Sequence, residues 1–385
     1  MSTSREQLRI EMTVEQLAQP APGGSGTYIT ELAAQLAKDQ EVSLLGVAAR
    51  RDQPLTGLPH EVLVRHGRLP RPVQYEAWNR FRPRGKNRAL VAAQQDRVLH
   101  ATTWAVPPRT APLVVTVHDL AFLRDPSHFT RRGNAFFRRA LTIVRAEADV
   151  VVVPSAVTAR DCVAHGIDEA RIHVIHHGVR VPLIGEHDVE GFRREHGLAR
   201  PYLLWCGTLE PRKNLEALVS AFEQLLAEDD PGLDLVLVGP LGWGDVAARV
   251  AAHAEQLGGR VHLLGRLSHH DLHVAYAGAR AFCFPSTWEG FGMPVLEAMA
   301  HGVPVVTSSG TSMAEVVGDG ALLVDPRSTR ELAEAMRAAA GAKHGELAVN
   351  ALANAARYSW ARSATAHVAA YRDAVERTLT SGGRR

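Results

Sequence analysis

The chain has 385 residues, 46% hydrophobic and 22% charged, which is apolar material for two cores and excludes a disordered or low-complexity protein. No apolar run nears the ~18 residues a membrane-spanning helix needs, and the opening MSTSREQLRIEM lacks a signal peptide's apolar core. Net charge is +2 but uneven: residues 1–185 hold 24 Lys and Arg against 17 Asp and Glu, the remainder 19 against 24. Cys162, Cys206 and Cys283 are scattered and odd in number, so they read as core residues of a reduced, cytosolic protein. The 19 histidines include no H-E-x-x-H, and the pairs His176-His177 and His269-His270 read as surface or loop residues.

Leu8, Ile10, Met12 and Val14 alternate and predict a first strand. A loop, Glu15–Pro22, leads into Gly23-Gly24-Ser25-Gly26-Thr27-Tyr28. A helix then carries Ile29, Leu32, Ala33, Leu36 and Ala37 on one face. Strand, glycine loop and helix make a place where backbone amides meet phosphate. It is not a dinucleotide fingerprint, because the third glycine of G-x-G-x-x-G falls at Ile29, which argues against a nicotinamide enzyme. Short apolar runs follow at Val42–Val47, Glu61–Val64, Val98–His100, Leu113–Val117 and Val150–Val153, with helical patterns between several of them. They predict a parallel α/β sheet. Residues 65–96 are rich in Arg and Pro and take no element from pattern alone. His118-Asp119 closes the run Leu113–Val117. Carboxyl ends of parallel strands face the ligand crevice, and the alternative is a loop histidine bonded by its neighbour. Phe129–Arg145 reads as an amphipathic helix with Arg131, Arg132, Arg138, Arg139 and Arg145 on a solvated face. The alternative is contact with an anionic acceptor or membrane. Ile172–Gly178 is the last strand before a linker at Val181–Pro201.

A second α/β series has strands at Tyr202–Cys206, Leu235–Val238, Val261–Leu264, Ala281–Phe284, Val303–Val306 and Ala321–Val324. After the first of these comes Gly207-Thr208-Leu209-Glu210-Pro211-Arg212-Lys213-Asn214, with Arg212 and Lys213 expected to open a helix. Ala281–Asp325 is the most informative stretch. Its strand runs into Glu289-Gly290-Phe291-Gly292, Pro294 suits a first helical residue, and Gly302 and Pro304 end the helix Pro294–Ala300. Glu289 and Glu297 flank amides at a helix N-terminus. That geometry suits a phosphorylated sugar: amides for phosphate, carboxylates for hydroxyls. The bland alternative is a capped helix with Glu297 placed for the dipole.

The full string EGFGMPVLEAMAHGVPVV resembles the E-x7-E signature of the family-four retaining glycosyltransferases. The resemblance runs through nearly the whole chain. It implies the GT-B fold, α/β, with two Rossmann-like domains facing across a cleft. An acceptor-side domain would span 1–180, a linker 181–200, a donor-binding domain 201–360, and a helix crossing back to the first domain 361–385. It implies that Gly24 lies near the donor diphosphate, that His118 lies beside the transferred sugar, and that Arg212 and Lys213 bind the diphosphate. Glu289 would contact the donor sugar and Glu297 the ribose hydroxyls. Phe291, Gly292 and Met293 would offer amides, and Leu267 would pack the base. No D-x-D occurs in the chain, so the expected reaction uses no metal or other cofactor. The expected donor is a nucleotide-diphosphate sugar. GDP-mannose is favoured because the LEPRKN and HDL segments resemble bacterial mannosyltransferases, and a UDP-hexose stays open. A sugar, glycan or glycolipid is the expected acceptor, no nucleic acid is expected, and the location is cytoplasmic or peripheral at the inner membrane face. Two rivals stand: a GT-B sugar-nucleotide epimerase or hydrolase, and a nucleotide-sugar-binding protein without catalysis.

Overall fold

The computed structural model describes residues 7–20, 22–82, 91, 96–242 and 245–382, the last two residues without their side chains. The chain divides into two compact units. One combines the segment up to Gly178 with the C-terminal segment from Trp360, and the other is Val179–Ser359.

Unit one is built on β1 (Leu8–Thr13), β2 (Val42–Arg50), β3 (Leu63–Pro70), β4 (Arg97–Ala101), β5 (Leu113–Thr116), β6 (Val150–Val153) and β7 (Ile172–Val174). Their spatial order is β3-β2-β1-β4-β5-β6-β7. Each neighbouring pair is parallel. Ile10 lies opposite Leu44 on one side and Val98 on the other. The order reverses between β1 and β4, so the crevice for a ligand opens at the carboxyl ends of these two strands. The alternation in β1 predicts one wet face, yet Ile10, Glu11, Met12 and Thr13 are all buried. A central parallel strand is covered on both faces, and Glu11 is tolerated there because Arg65 and Arg97 close on its carboxylate at 2.6 and 3.0 Å.

Unit two carries β8 (Tyr202–Cys206), β9 (Asp234–Val238), β10 (Val261–Gly265), β11 (Ala281–Phe284), β12 (Val305–Ser308) and β13 (Ala321–Val324). Their order is β10-β9-β8-β11-β12-β13. All pairs are again parallel. Here the reversal falls between β8 and β11.

Four readings of the sequence are corrected. The expected linker 181–200 belongs to unit two and contains the helix Glu186–Glu195. Its charge is the solvated side, while Phe192 and Leu198 enter the core. Glu186 and Asp188 in the first turn and Arg193 and Arg194 in the last suit the helix dipole. The glycines Gly23, Gly24 and Gly26 form no loop: the helix Gly23–Leu36 starts at Gly23. A Cβ on Gly26 would lie 2.3 Å from the Pro22 Cβ, so glycine is what lets the chain enter this helix so tightly. In the unassigned stretch 65–96, β3 extends to Pro70 and a helix runs Arg71–Arg80. Finally, His177 lies in a loop as read, but it is buried rather than on the surface, stacked on Trp360 with ring centroids 5.7 Å apart.

The C-terminal helix Trp360–Gly382 packs on the helix Gly23–Leu36 and on β4, β5 and β6, all within unit one. A buried polar chain ties it down. His367 Nδ1 lies 2.7 Å from the Ser363 carbonyl, which can only accept, so the ring donates there and its Nε2 accepts from the Tyr28 hydroxyl at 2.8 Å. The direction then propagates. Thr116 donates to Tyr28, His100 Nε2 donates to Thr116, and Tyr371 donates to His100 Nδ1, at 2.8, 2.8 and 2.9 Å. This chain needs neutral imidazoles. Burial holds His100, His118, His177 and His367 below the ordinary histidine range, His367 at about 4.

Groups kept neutral in the fold but protonated when unfolded stabilise above the unfolded pKa, and that stability is lost as pH falls towards the folded one. Unit one is therefore expected to lose about 1.4 kcal/mol per pH unit for each such histidine below about pH 6.5. His367→Gln, which cannot titrate, should flatten the slope by one histidine's share. Urea unfolding at pH 7 and pH 5, with hydrogen exchange of Trp360–Gly382, checks this; identical slopes would refute it.

Candidate active site

In unit two the site residues sit at the strand reversal. β8 ends at Cys206, and Gly207 follows at φ 151° with its N–H still donating to the Val238 carbonyl of β9 at 2.9 Å. Gly239, at the end of β9, stands against it: a Cβ there would meet the Gly207 oxygen at 1.7 Å. Arg212 and Lys213 do not open the following helix. They lie in a single turn, Pro211–Lys213, and Asn214 at φ 58° precedes the helix Leu215–Asp229. The Asn214 amide donates to the Pro285 and Pro326 carbonyls at 3.2 and 2.7 Å, so one side chain fastens the loops after β8, β11 and β13. Asparagine tolerates the left-handed conformation because its short side chain can hydrogen-bond locally.

The two cations meet the Glu289 carboxylate, a pairing the sequence did not show. Lys213 Nζ lies 2.7 Å from Glu289 Oε1, and Arg212 Nη1 lies 2.8 Å from the same oxygen. Arg212 also holds Glu210 at 2.6 Å and donates to the Trp288 carbonyl at 2.7 Å. Lys213 sits over the Phe284 ring, 4.8 Å from its centre. Burial opposes ionisation of Glu289, but Arg212 and Lys213 outweigh it and hold its pKa at about 2. Two arms thus join across the reversal: the turn after β8 and the turn after β11. Thr287 N–H adds a 2.9 Å bond to the Arg212 carbonyl. Ser312 donates to the Glu289 carbonyl at 2.6 Å.

Gly292 takes φ 92° and leads into the helix Met293–Ala300; a Cβ there would press on the Met313 side chain at 2.9 Å. Phe291 is buried, Met293 is half-buried, and both flank this helix start. Glu297, one turn in, accepts from the Tyr276 hydroxyl at 3.1 Å, and Cys206 Sγ lies 2.7 Å from that hydroxyl. Burial raises the Glu297 carboxyl to about 7, with the Tyr276 bond working the other way. Leu267 lies between β10 and the helix His269–Ala277 and packs partly on the core.

Unit one holds the other two predicted residues. Gly24 is exposed in the first turn of its helix. His118 follows β5 and its Nε2 donates to the Thr102 carbonyl at 3.0 Å, which leaves Nδ1 as the acceptor of the neutral ring. Pattern reading found every one of these strand ends. It missed Asn214, Gly239, Tyr276 and the Tyr28–His367 pair, whose partners lie far away in sequence. The one local signal was a polar residue directly before a helical pattern, at Asn214.

Two doubly wound parallel sheets, each with its candidate ligand residues at a strand reversal, are the architecture of the GT-B class. Solved structures agree on the fold. HepE of Anabaena, in complex with UDP and glucose, matches with a TM-score of 0.73 at 21% identity over 94% of this chain and 98% of its own. WaaG, a glycosyltransferase involved in lipopolysaccharide biosynthesis, matches with 0.67 at 18% identity over 94% and 98%. In sequence, the profile described as Glycosyltransferase Family 4 covers residues 22–181 and that described as Glycosyl transferases group 1 covers 188–357. The O-antigen chain mannosyltransferase B of Escherichia coli is 29% identical over 381 residues, 95% of this chain and all of that one. This chain belongs to the family-four glycosyltransferases.

A carboxylate raised from 4.5 to about 7 costs the fold stability progressively as pH rises between those two values, because the unfolded chain ionises first. Glu297→Gln keeps an acceptor for Tyr276 without the charge. It is expected to be more stable than the parent at pH 8, by on the order of 1–2 kcal/mol, and equal at about pH 4. Thermal melts at the two pH values test this, and a variant less stable at pH 8 would contradict it.

Proposed function

We propose that this protein is a retaining, metal-independent hexosyltransferase acting in glycan or glycolipid synthesis. It takes the hexose, mannose in the first instance, from a nucleotide-diphosphate sugar such as GDP-mannose to a hydroxyl acceptor. The observation that carries this is the pair Arg212 and Lys213, fixed at the strand reversal of unit two against Glu289. The barrier to transfer is departure of an anionic diphosphate from a sugar becoming oxocarbenium-like. Preorganised cations lower it without reorganising in the transition state. Glu289 holds them in place until a diphosphate takes over the pairing, and its carboxylate then turns to the donor sugar. Glu297 accepts from ribose hydroxyls. The helix start at Gly292 and Met293 favours negative charge. The absence of D-x-D from the chain supports charge neutralisation by side chains. The name of the E. coli relative supports mannose. The HepE complex with UDP-glucose keeps a UDP-hexose in view. Retention follows from the family resemblance, with the leaving phosphate helping to deprotonate the acceptor on the same face.

A nucleotide-sugar panel read by thermal shift identifies the donor, since ligand binding to the native state raises its stability. Lys213→Ala and Arg212→Ala should each slow transfer about 100-fold or more with unchanged circular dichroism, and activity should survive EDTA. Full activity in both variants, or a strict requirement for Mg²⁺, would sink the reading. Donor turnover without an acceptor, at a rate equal to transfer, would favour the hydrolase.

The acceptor is read as anionic, or as lying at an anionic membrane, from the charge of unit one. Arg80, Arg132 and Arg139 all reach the one carboxylate of Glu76, at 2.9, 3.9 and 3.3 Å. Not all of the basic segment contributes. Arg82 is buried against Glu147 and the carbonyls of Trp78, Val106 and Pro107, and Arg65 is spent on Glu11. Arg84, Lys86 and Arg88 lie outside the described residues. Charge reversal at Arg131 and Arg132 should slow transfer several-fold at ~0.1 M salt and much less at ~1 M, where screening is near 3 Å. Transfer that is flat in salt, with silent reversals, would remove this role.

A further inference from the structure

The His118 ring is held by a bond at one end only along its axis: Nε2 donates to the Thr102 carbonyl at 3.0 Å. A ring so bonded can still turn about the N···O line. Its tilt is set by two neighbouring rings. Tyr28 meets it edge-on, with centroids 5.1 Å apart at 86°, and His177 lies 5.8 Å away at 55°. The two also touch each other, at 4.9 Å. So His118 faces a wall of two aromatic rings, and the placement of that wall decides where Nδ1 points.

Both rings of the wall are secured from the same element. The Tyr28 hydroxyl donates to His367 Nε2 at 2.8 Å. The direction of that bond is imposed by the Ser363 carbonyl, which takes the other imidazole hydrogen. The His177 ring stacks on Trp360 at 5.7 Å and 23°. Ser363, His367 and Trp360 all belong to the C-terminal helix. Tyr28 and His177 come from opposite ends of the remaining unit-one chain, one from the first helix and one from the segment after β7. The helix Trp360–Gly382 is what brings them to a common position. We propose that this helix is a positioning element for transfer: His367 through Tyr28, and Trp360 through His177, fix the orientation of His118. Reacting groups displaced by as little as ~1 Å can lose about 100-fold in rate, so a released wall would be felt at the chemical step.

The inference rests on the assignment of His118 to the transfer step. The experiment therefore separates the two, using the full chain with kcat for transfer, donor Kd by calorimetry and thermal melts. His367→Leu is expected to lower kcat about tenfold or more with donor Kd unchanged, by partial loss of that positioning. His367→Gln, whose side-chain oxygen can accept where Nε2 does, should recover most of the rate. In a His118→Ala background, His367→Leu should add no further loss. If His367→Leu does not fold, Tyr28→Phe, which keeps the ring and drops the hydroxyl, is read in the same way. A slow His118→Ala enzyme combined with a silent His367→Leu overturns the positioning role alone. So does a His367→Leu loss that is equally large with and without His118, since that is a general packing effect. Unchanged transfer in His118→Ala overturns the assignment of His118 and the positioning role together.

Discussion

Burying the Glu289 carboxylate alone would be costly, because a charge taken from water needs partners that match it. Here one carboxylate oxygen receives both Lys213 and Arg212, at 2.7 and 2.8 Å. Those cations come from the turn after β8 and the carboxylate from the turn after β11. In the parallel sheet the two strands are neighbours, so the ion pairs close the point where strand order reverses. The remaining features of unit two arrange themselves around this closure. Asn214 ties these turns to the one after β13 through the Pro285 and Pro326 carbonyls. Gly239 lets the turn after β9 come within contact of Gly207. Two positive charges are thereby held rigid with one counter-ion.

Unit one meets the same constraint with neutral groups. One set of its buried polar atoms runs in a directed series from the Ser363 carbonyl through His367, Tyr28, Thr116 and His100 to Tyr371. A fully satisfied network of this kind rigidifies a core, and a partly satisfied one would be expensive. Because the first acceptor is a carbonyl, reversing any single bond would leave another without a hydrogen. That explains why a helix from the far end of the chain can be an integral part of the first unit. It also explains why its histidines must stay neutral, which burial ensures.

Sequence patterns located the strand ends well because parallel strands buried on both faces are short apolar runs. Val150–Val153 and Ala281–Phe284 are clear cases, and both are found as predicted. They failed where burial and composition part company. Charge concealed the helix Glu186–Glu195, which needs only Phe192 and its neighbours on the inner side. Glycines at 23, 24 and 26 suggested a loop where a helix begins. The edge strand β3, largely exposed, has no apolar run to betray it beyond Val64.

Sequence alone determined the class of fold, the ends of the central strands β8 and β11 and the identity of the charged residues that follow them. Hydrophobic period and turn chemistry are local properties, and the E-x7-E string is long enough to be specific. Only the tertiary structure decided that Arg212 and Lys213 share one oxygen of Glu289, that Glu297 is bonded to Tyr276, and that His367 holds Tyr28. Lys213 and Glu289, Tyr276 and Glu297, and Tyr28 and His367 are separated by 76, 21 and 339 residues. The pKa values that follow, Glu289 at about 2 and Glu297 at about 7, differ because one carboxylate is met by two cations and the other by a hydroxyl. No local pattern encodes that difference; it arises when packing decides which groups share a buried space.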